Sequence, residues 1–297
     1  MSTSAEPRDP TDAYLAHRSL LFTLAYEMLG SAADAEDVLQ EVWLRWKPVD
    51  LTTIRDPRAY LVQVTTRLAL NQIRTLARRR ETYVGPWLPE PLLTAPDVAE
   101  DVALADSVST AMLLVLETLG PTERAVFVLR EVFDLPYDEI ATAVDKSPAA
   151  VRQIAHRARG HVHARRPRGV VEGASQEQVM ERFVAAVATG DLQGLMDVLA
   201  PDVVLITDGG GVKKAALRAI HGTEKVLRFI AGVVPQDATG RAAAVAVNGG
   251  RGLSFSVAGE LDTIVTVRLD EGRVSAIYCV RNPHKLGRLT TEVPLGR

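Results

Sequence analysis

The chain has 297 residues, of which 47% are hydrophobic and 24% charged, which excludes wholesale disorder and predicts two or three compact units rather than one core. Cys279 is the only cysteine, so an internal disulfide framework and a cysteine-based zinc site are excluded. The net charge of -3 gives no nucleic-acid signal for the whole chain, and the charge distribution within each segment has to be considered instead.

The amino terminus is polar and lacks the basic-then-apolar layout of a signal peptide. No apolar run reaches the roughly 20 residues that a membrane-spanning helix requires. We therefore expect a soluble, cytoplasmic protein without a membrane partner, with residues 1–10 disordered.

Residues 11–82 are predicted to form one helical unit. Its expected helices are Asp12–Leu29, Asp34–Trp46 and a third that runs from Pro57 to the Arg78–Arg80 cluster. Gly30 ends the first helix, Ser31 caps the second, and Asp56 precedes a proline at the first position of the third.

The second and third helices carry opposite charges. An acidic face on the second helix contains Asp37, Gln40 and Glu41. One face of the third helix carries basic and amide side chains, namely Arg67, Asn71, Arg74 and Arg78. A stripe of this kind can follow a phosphate backbone. The contrast predicts two partners, one a protein and one a nucleic acid.

Residues 83–107 are rich in proline and acids and are predicted to be a linker that contains the unusually apolar segment Trp87–Leu92. A second helical unit follows over 108–168, and its last part has helix-turn-helix organisation. A short helix ends at Val144, and Ser147 opens the next one. The second helix has an inward apolar stripe, while its outer face is basic and carries Arg152, Gln153, His156, Arg157 and Arg159. Such a face is suited to the major groove and its flanking phosphates.

Residues 175–297 change character. One or two helices precede several β-like runs separated by glycine-rich turns, which predicts a small α+β domain. The β-like runs are Val203–Thr207, Ala242–Val247, Leu253–Val257, Ile264–Leu269 and Val274–Val280.

Three segments resemble a known family. Asp37-Val38-Leu39-Gln40-Glu41 with Trp43, and Asp56-Pro57-Arg58-Ala59-Tyr60-Leu61 leading to Leu70-Asn71-Gln72-Ile73-Arg74, resemble region 2 of the extracytoplasmic-function sigma factors. Pro121-Thr122-Glu123-Arg124-Ala125-Val126-Phe127 with the helix-turn-helix resembles their region 4. Asp145 stands where the family often has glycine, and aspartate tolerates the left-handed conformation that this turn needs.

The resemblance implies partners for these faces. Asp37, Gln40 and Glu41 would grip the β′ clamp of core RNA polymerase, and the β flap would be a second polymerase contact. The -10 promoter element would be held by the loop around Leu51 and Thr52 together with Arg67, Asn71, Arg74 and Arg78. Unstacking the base that this loop captures costs a few kcal/mol, which contacts in its pocket have to offset. The -35 element would be contacted by Ser147, Arg152, Gln153, His156 and Arg157.

The resemblance extends to the SigJ-like subgroup, which carries a C-terminal SnoaL-like domain of the NTF2-like fold. Three motifs support it, namely Trp87-Leu88-Pro89-Glu90, Asp208-Gly209-Gly210-Gly211 and Asn282-Pro283-His284-Lys285-Leu286. His284 stands where the subgroup usually has aspartate, so no role is carried over to it. By resemblance, the other residues of these motifs form interdomain regulatory contacts, and no separate anti-sigma factor is expected. The expected fold is multidomain, with a region 2 helical bundle, a region 4 helix-turn-helix domain and an α+β NTF2-like cone.

Two other function classes stay open. A helix-turn-helix repressor would not need the acidic face of the second helix. A fused SnoaL-type enzyme with a DNA-targeting arm would need an acid-base residue, for which Asp208, His221 and Asp262 are the candidates. No pair of them has a persuasive spacing, so we predict docking rather than catalysis, with no cofactor and no metal. A small-molecule ligand of the cone remains an open alternative.

Overall fold

The computed structural model describes residues 9–95, 98, 101–165, 173–233, 240–289 and 291–297. The predicted disorder of residues 1–10 lies almost wholly outside this part of the chain. So do most of the basic joint after the second helical unit and the side chain of Arg78. No described helix is long and apolar enough to cross a membrane.

The first helical unit contains α1 (Pro10–Leu29), α2 (Ala32–Trp46), a 3₁₀ turn (Leu51–Thr53) and α3 (Pro57–Glu81). Local signals set its helix boundaries. The Ser31 hydroxyl accepts a hydrogen bond from the Asp34 amide at 3.2 Å, and Gly30 ends α1 with a φ of 68°. These boundaries agree with the sequence analysis to within two residues.

The second helical unit contains α4 (Val102–Val108), α5 (Thr110–Glu117), α6 (Pro121–Phe127), a π-helical turn (Val128–Val132), α7 (Tyr137–Val144) and α8 (Pro148–Arg165). The presence of α4 corrects the prediction that the linker extends to residue 107, because residues 102–107 are helical. The Asp101 carboxylate caps α4 by accepting from the Leu104 amide at 3.1 Å, and only seven residues follow. So short a helix shows too little periodicity to be recognised in the sequence.

The C-terminal domain begins with α9 (Gly173–Thr189) and α10 (Leu192–Val198). It continues with β1 (Leu199–Asp208), β2 (Ile220–His221), α11 (Thr223–Val233), β3 (Gly240–Val247), β4 (Gly250–Val257), β5 (Glu260–Asp270), β6 (Arg273–Val280) and α12 (Pro283–Leu286). The sheet order is β2-β1-β6-β5-β4-β3, and only the β1–β6 pair is parallel. All five β-like runs fall inside these strands, whereas the short β2, α11 and α12 were not predicted.

The two faces of the sheet belong to different cores. Val274, Ile277 and Cys279 of β6 face the domain's own helices, where Phe183 and Leu195 are buried. Ala276, Tyr278 and Val280 of the same strand face a second core. This core also contains Leu88 of the linker and side chains of α5. The sheet is therefore enclosed by its own helices on one side and by the linker and the second helical unit on the other.

A single hydrophobic core joins the two helical units. It contains Leu29 and Leu61 of the first unit and Leu113, Val126 and Val151 of the second, and all five are almost completely buried. The DNA-reading units that the sequence predicts are thus packed against each other in this structure.

Candidate polymerase and nucleic-acid interfaces and the seam between domains

The helix-turn-helix has the geometry that its sequence predicts. Asp145 adopts the left-handed conformation, with φ 54° and ψ 57°, where α7 ends. The Ser147 hydroxyl then accepts a hydrogen bond from the Ala150 amide at 3.2 Å and caps α8. Aspartate therefore fulfils the conformational role of the glycine that is common at this position.

Helix α8 separates an apolar face from a basic one. Val151, Ala155, Ala158 and Val162 are buried. The structure brings four of the predicted -35 residues together on the exposed face, namely Arg152, Gln153, His156 and Arg157. Arg159 differs from them, because its guanidinium bonds to Glu131 at 2.9 Å and to the Tyr137 hydroxyl at 3.0 Å. Its side chain is therefore held against the rest of the second helical unit.

The predicted -10 residues of α3 lie beside the second helical unit. Arg67, Asn71 and Arg74 are exposed, and Arg74 donates a hydrogen bond to the side-chain oxygen of Asn71 at 3.3 Å. Arg67 donates to the main-chain oxygen of Thr142 in α7 at 3.0 Å. The first helix of the helix-turn-helix thus engages one end of this basic stripe.

The loop between α2 and α3 is more ordered than a free loop. Asp50 accepts hydrogen bonds from the Thr52 amide at 3.0 Å and from its hydroxyl at 2.8 Å. Leu51 packs against the helical core, while Thr52 is exposed. Thr52 is therefore the member of this pair that solvent reaches freely.

The acidic face of α2 points to solvent. Asp37 and Gln40 are exposed, and Glu41 forms an ion pair with Arg45 at 2.8 Å, one turn along the helix. Gln40 also borders a groove of about 330 Å³ between α1 and α2, which Trp43 helps to line. The three predicted residues form one continuous surface.

Asp208 is the centre of the seam between the linker and the C-terminal domain. It is completely buried at the end of β1 and accepts four hydrogen bonds. The donors are the Tyr83 hydroxyl at 2.5 Å, the Lys285 ammonium at 2.7 Å, the Leu88 amide at 2.9 Å and the Gly210 amide at 3.0 Å. A buried carboxylate with this many partners has a structural role, since it holds the linker and α12 at the end of β1.

Tyr83 completes the Asp208 cluster and was not predicted from the sequence. Burial, followed by the neighbouring Asp208 carboxylate, raises the pKa of Tyr83, so its hydroxyl stays protonated and donates. The Asn282 amide in turn donates to the Tyr83 oxygen at 2.8 Å. A single tyrosine after an arginine cluster has no local pattern that would mark it as a partner of residues 125 and 199 positions away.

The glycines after Asp208 allow close approach of the other motifs. A side chain at Gly210 would overlap the Asn282 amide, and one at Gly211 would lie 3.1 Å from Val84. Asn282 itself caps α12, with Pro283 at the first helical position, and Leu286 of that helix is buried. The structure thus brings the glycine turn and the terminal motif together beside the linker.

Trp87 lies between two domains. Its ring faces Gly30 at the end of α1, where an added side-chain carbon would be 2.7 Å from the indole. On the C-terminal side, the Lys285 ammonium lies 4.3 Å from the centre of its ring. The Trp87 segment therefore packs on the first helical unit and on the C-terminal domain at the same time.

Glu90 connects the linker to α2. Its carboxylate accepts from the Ser31 hydroxyl at 3.1 Å and from the Ala33 amide at 3.3 Å, at the positive end of the helix. Burial raises the pKa of Glu90, and these hydrogen bonds oppose that effect. With Leu88 and Pro89 also buried, the segment fastens the C-terminal domain to the first helical unit.

The candidate catalytic residues are not assembled into a site. Burial alone would raise the pKa of Asp262, but hydrogen bonds from Thr263, Lys213 and Arg281 outweigh it and lower the pKa to about 2. His221 is exposed on β2, and Asp208 is enclosed in the seam. Burial also raises the pKa of Cys279 to about 12. Across the described residues, no group of three or more potential ligands is arranged to hold a metal ion.

A buried carboxyl also joins the helical units. Glu27 of α1 is almost wholly inaccessible and accepts a hydrogen bond from the Ser107 hydroxyl of α4 at 2.6 Å. Its second oxygen has no hydrogen-bond partner within the described part of the chain. Burial raises the pKa of Glu27 to about 8, against the opposing effect of the Ser107 hydrogen bond.

This group makes the stability of the folded protein depend on pH. Because its pKa is higher when folded, neutral Glu27 contributes stability that is complete below the unfolded pKa of about 4.3 and is lost as the pH rises through the folded value. Between about pH 5 and pH 8 we expect its contribution to the free energy of unfolding to fall by roughly 3 kcal/mol. Urea unfolding should show this decrease for the natural protein and a weaker one for Glu27→Gln, and equal slopes would contradict the assignment.

Family models match the three units separately. Sigma-70 region 2 matches residues 13–79, Sigma-70 region 4 matches residues 109–162, and the SnoaL-like domain matches residues 180–281. Each match falls on one of the three sets of elements described above.

Relatives match nearly the whole chain. It is 40% identical over 286 residues to the ECF RNA polymerase sigma factor SigJ of Mycobacterium tuberculosis, covering 90% of each chain. It is 33% identical to the probable ECF RNA polymerase sigma factor SigI of the same species, covering 96% of this chain and 98% of that protein. The crystal structure of M. tuberculosis SigJ superposes with a TM-score of 0.76 at 34% identity, covering 94% of this chain and all of that one.

Proposed function

The chain belongs to the extracytoplasmic-function RNA polymerase sigma factors, and from this premise we propose how its three units divide the work. The acidic face of α2 binds core RNA polymerase at its β′ clamp. The stripe on α3 and the turn at Thr52 contact the -10 element, and the outer face of α8 contacts the -35 element. The C-terminal SnoaL-like domain docks on the linker and regulates both.

One observation carries the regulatory part of this proposal, the hydrogen bond between Arg67 and the main chain of Thr142 at 3.0 Å. It joins the -10 stripe to the helix-turn-helix that contacts the -35 element. These promoter elements lie about 25 base pairs apart, or about 85 Å at about 3.4 Å per base pair. Units that share a hydrogen bond and a core cannot reach both elements at once, so the compact structure is an inactive state that opens on polymerase and DNA.

The linker explains how the C-terminal domain controls this opening. Leu88 is buried in the core between the sheet and the second helical unit, whereas Glu90, two residues further on, is hydrogen-bonded to α2. The segment between the two DNA-reading units is therefore anchored at both ends. We propose that the domain acts in place of a separate anti-sigma factor.

Docking also accounts better for the C-terminal domain than catalysis does. The core between its helices and the sheet is filled by apolar side chains such as Phe183, Val203 and Leu253. Asp208, the most buried of the candidate acids, makes its contacts with the linker and α12 rather than with this interior. The repressor alternative leaves the exposed acidic face of α2 without a role.

Run-off transcription tests the proposal. Core RNA polymerase is incubated with promoter fragments selected from genomic DNA, with and without the full-length protein. We expect specific transcripts only when the protein is present, and we expect Arg152→Ala/Gln153→Ala to lower transcription at least tenfold on the same promoters, because each lost base contact costs about 1–3 kcal/mol. DNA binding by the protein alone, without initiation by the polymerase, would instead support the repressor alternative.

A further inference from the structure

The turn between β3 and β4 inserts into the helical part of the protein. Its first residue, Asn248, is 3% exposed. The Asn248 amide donates to the Tyr26 hydroxyl at 2.6 Å and to the Val108 main-chain oxygen at 2.9 Å, and its oxygen accepts from the Leu92 amide at 3.2 Å. One side chain thus bonds to α1 of the first unit, to the linker and to α4 of the second unit.

The main chain of the turn is anchored in the same place. The Asn248 amide donates to the Leu92 oxygen at 2.9 Å, and the Gly249 amide donates to the Thr94 hydroxyl at 3.1 Å. Gly249 also lies directly against α4, since an added side-chain carbon would be 2.5 Å from the main chain of Ala105. The linker therefore pairs with the main chain at the tip of this hairpin. The close packing against α4 leaves no room for a residue larger than Gly249.

Two other hairpins of the sheet show what the turn geometry alone requires. Ala258-Gly259 and Glu271-Gly272 have the same pair of positive φ angles as Asn248-Gly249. Added side-chain carbons at Gly259 and Gly272 would meet nothing within 4 Å. Alanine and glutamate thus suffice to form such a turn in this sheet, and the turn itself does not explain the buried amide of Asn248.

We propose that the Asn248-Gly249 turn is a wedge that positions the two DNA-reading units relative to each other. It satisfies polar groups of both units, which become unpaired or solvated when the units separate. Asn248 is accordingly a positioning residue for promoter recognition, acting through Tyr26 and Val108 rather than through DNA. This role rests on the proposed function, and it is distinct from the Asp208 cluster, whose contacts are with the linker and α12.

Distance measurements on the full chain test the wedge without polymerase or DNA. Spin labels are attached at Thr75→Cys on α3 and Ala164→Cys on α8, two exposed positions, in a Cys279→Ala background. The variants are Gly249→Ala and Asn248→Ala, and the control is Gly259→Ala. Gly249→Ala and the control share the conformational cost of alanine at positive φ, but only Gly249→Ala collides with α4. Asn248→Ala gives the turn the sequence that already occurs at Ala258-Gly259.

We expect the ratio of separated to compact molecules to rise about tenfold in Gly249→Ala and in Asn248→Ala, and to stay at the natural value in Gly259→Ala. Circular dichroism checks that each variant folds. If Gly249→Ala does not fold, the distances measured in Asn248→Ala alone test the proposal. Natural distance distributions in folded Asn248→Ala would overturn the wedge. A natural protein that fails in run-off transcription would overturn the proposed function instead, and the distance result would still stand.

Discussion

Changing Asp37, Gln40 and Glu41 together to alanine is expected to abolish the transcription that this protein directs. The three side chains lie on the outer face of α2, and the ion pair that Glu41 forms with Arg45 is half exposed. Such a pair contributes at most about 1 kcal/mol to stability, so the fold should persist. Truncating one hot-spot residue of an interface typically costs about 2 kcal/mol or more, which is a factor of about 30 in affinity. Removing all three side chains together should therefore lower polymerase affinity at least about 100-fold.

The chain offers a matched control for this variant. Gln193, Asp197 and Glu224 are the same three residue types, they are exposed on helices of the C-terminal domain, and Glu224 likewise pairs with an arginine one turn away. Their triple alanine variant should bind polymerase and direct transcription as the natural protein does. Binding constants for core polymerase and run-off transcript levels check both variants. Equal losses in the two would show that general acidity, and not the α2 surface, attracts the polymerase.

Changing Asp208 to alanine is expected to release the C-terminal domain from the linker. The substitution leaves the Lys285 ammonium, the Tyr83 hydroxyl and the Leu88 amide without their common acceptor. Removing one partner of a buried ion pair typically costs about 3–5 kcal/mol, because the other charge stays buried. Limited proteolysis should therefore cleave the segment between Tyr83 and Leu92 much faster than in the natural protein, and transcription at limiting polymerase should increase.

Asp262 provides the comparison for Asp208. It also holds two cations, Lys213 at 3.0 Å and Arg281 at 2.8 Å, but all three residues belong to the C-terminal domain. Asp262→Ala should lower the stability of that domain and leave cleavage of the linker unchanged. If Asp208→Ala protects the linker as well as the natural residue does, the Asp208 cluster is not what holds the domains together.

Predictions from the sequence succeeded where a short segment contains its own physical signal. The caps at Ser31 and Ser147, the stop at Gly30 and the left-handed Asp145 are formed by groups within a few residues of one another. The inward stripe of α8 follows from helical periodicity in the same way. The elements that were missed, such as α4 and β2, are too short for a period to be counted.

The motifs of the linker, the glycine turn and the carboxyl terminus were identified by resemblance, and the structure places them in contact. What the sequence did not indicate is that Tyr83 and Asn248, which lie outside these motifs, also make contacts between the domains. Tyr83 meets a partner 125 residues away, and Asn248 meets Tyr26 across 222 residues. Two single polar residues that lie so far apart in the sequence form no motif or periodic pattern that could predict their contact. Their pairing follows only from the way the domains pack.

The sequence by itself therefore determined the three units, their order and the faces that they expose, because helix caps and apolar periodicity act locally. Only the tertiary structure decided that the two helical units share one core, that Arg67 is bonded to Thr142, and that a hairpin turn lies between them. The physical reason is that these contacts are chosen by burial and by the need to pair buried polar groups across the whole chain, and neither is encoded in any one segment.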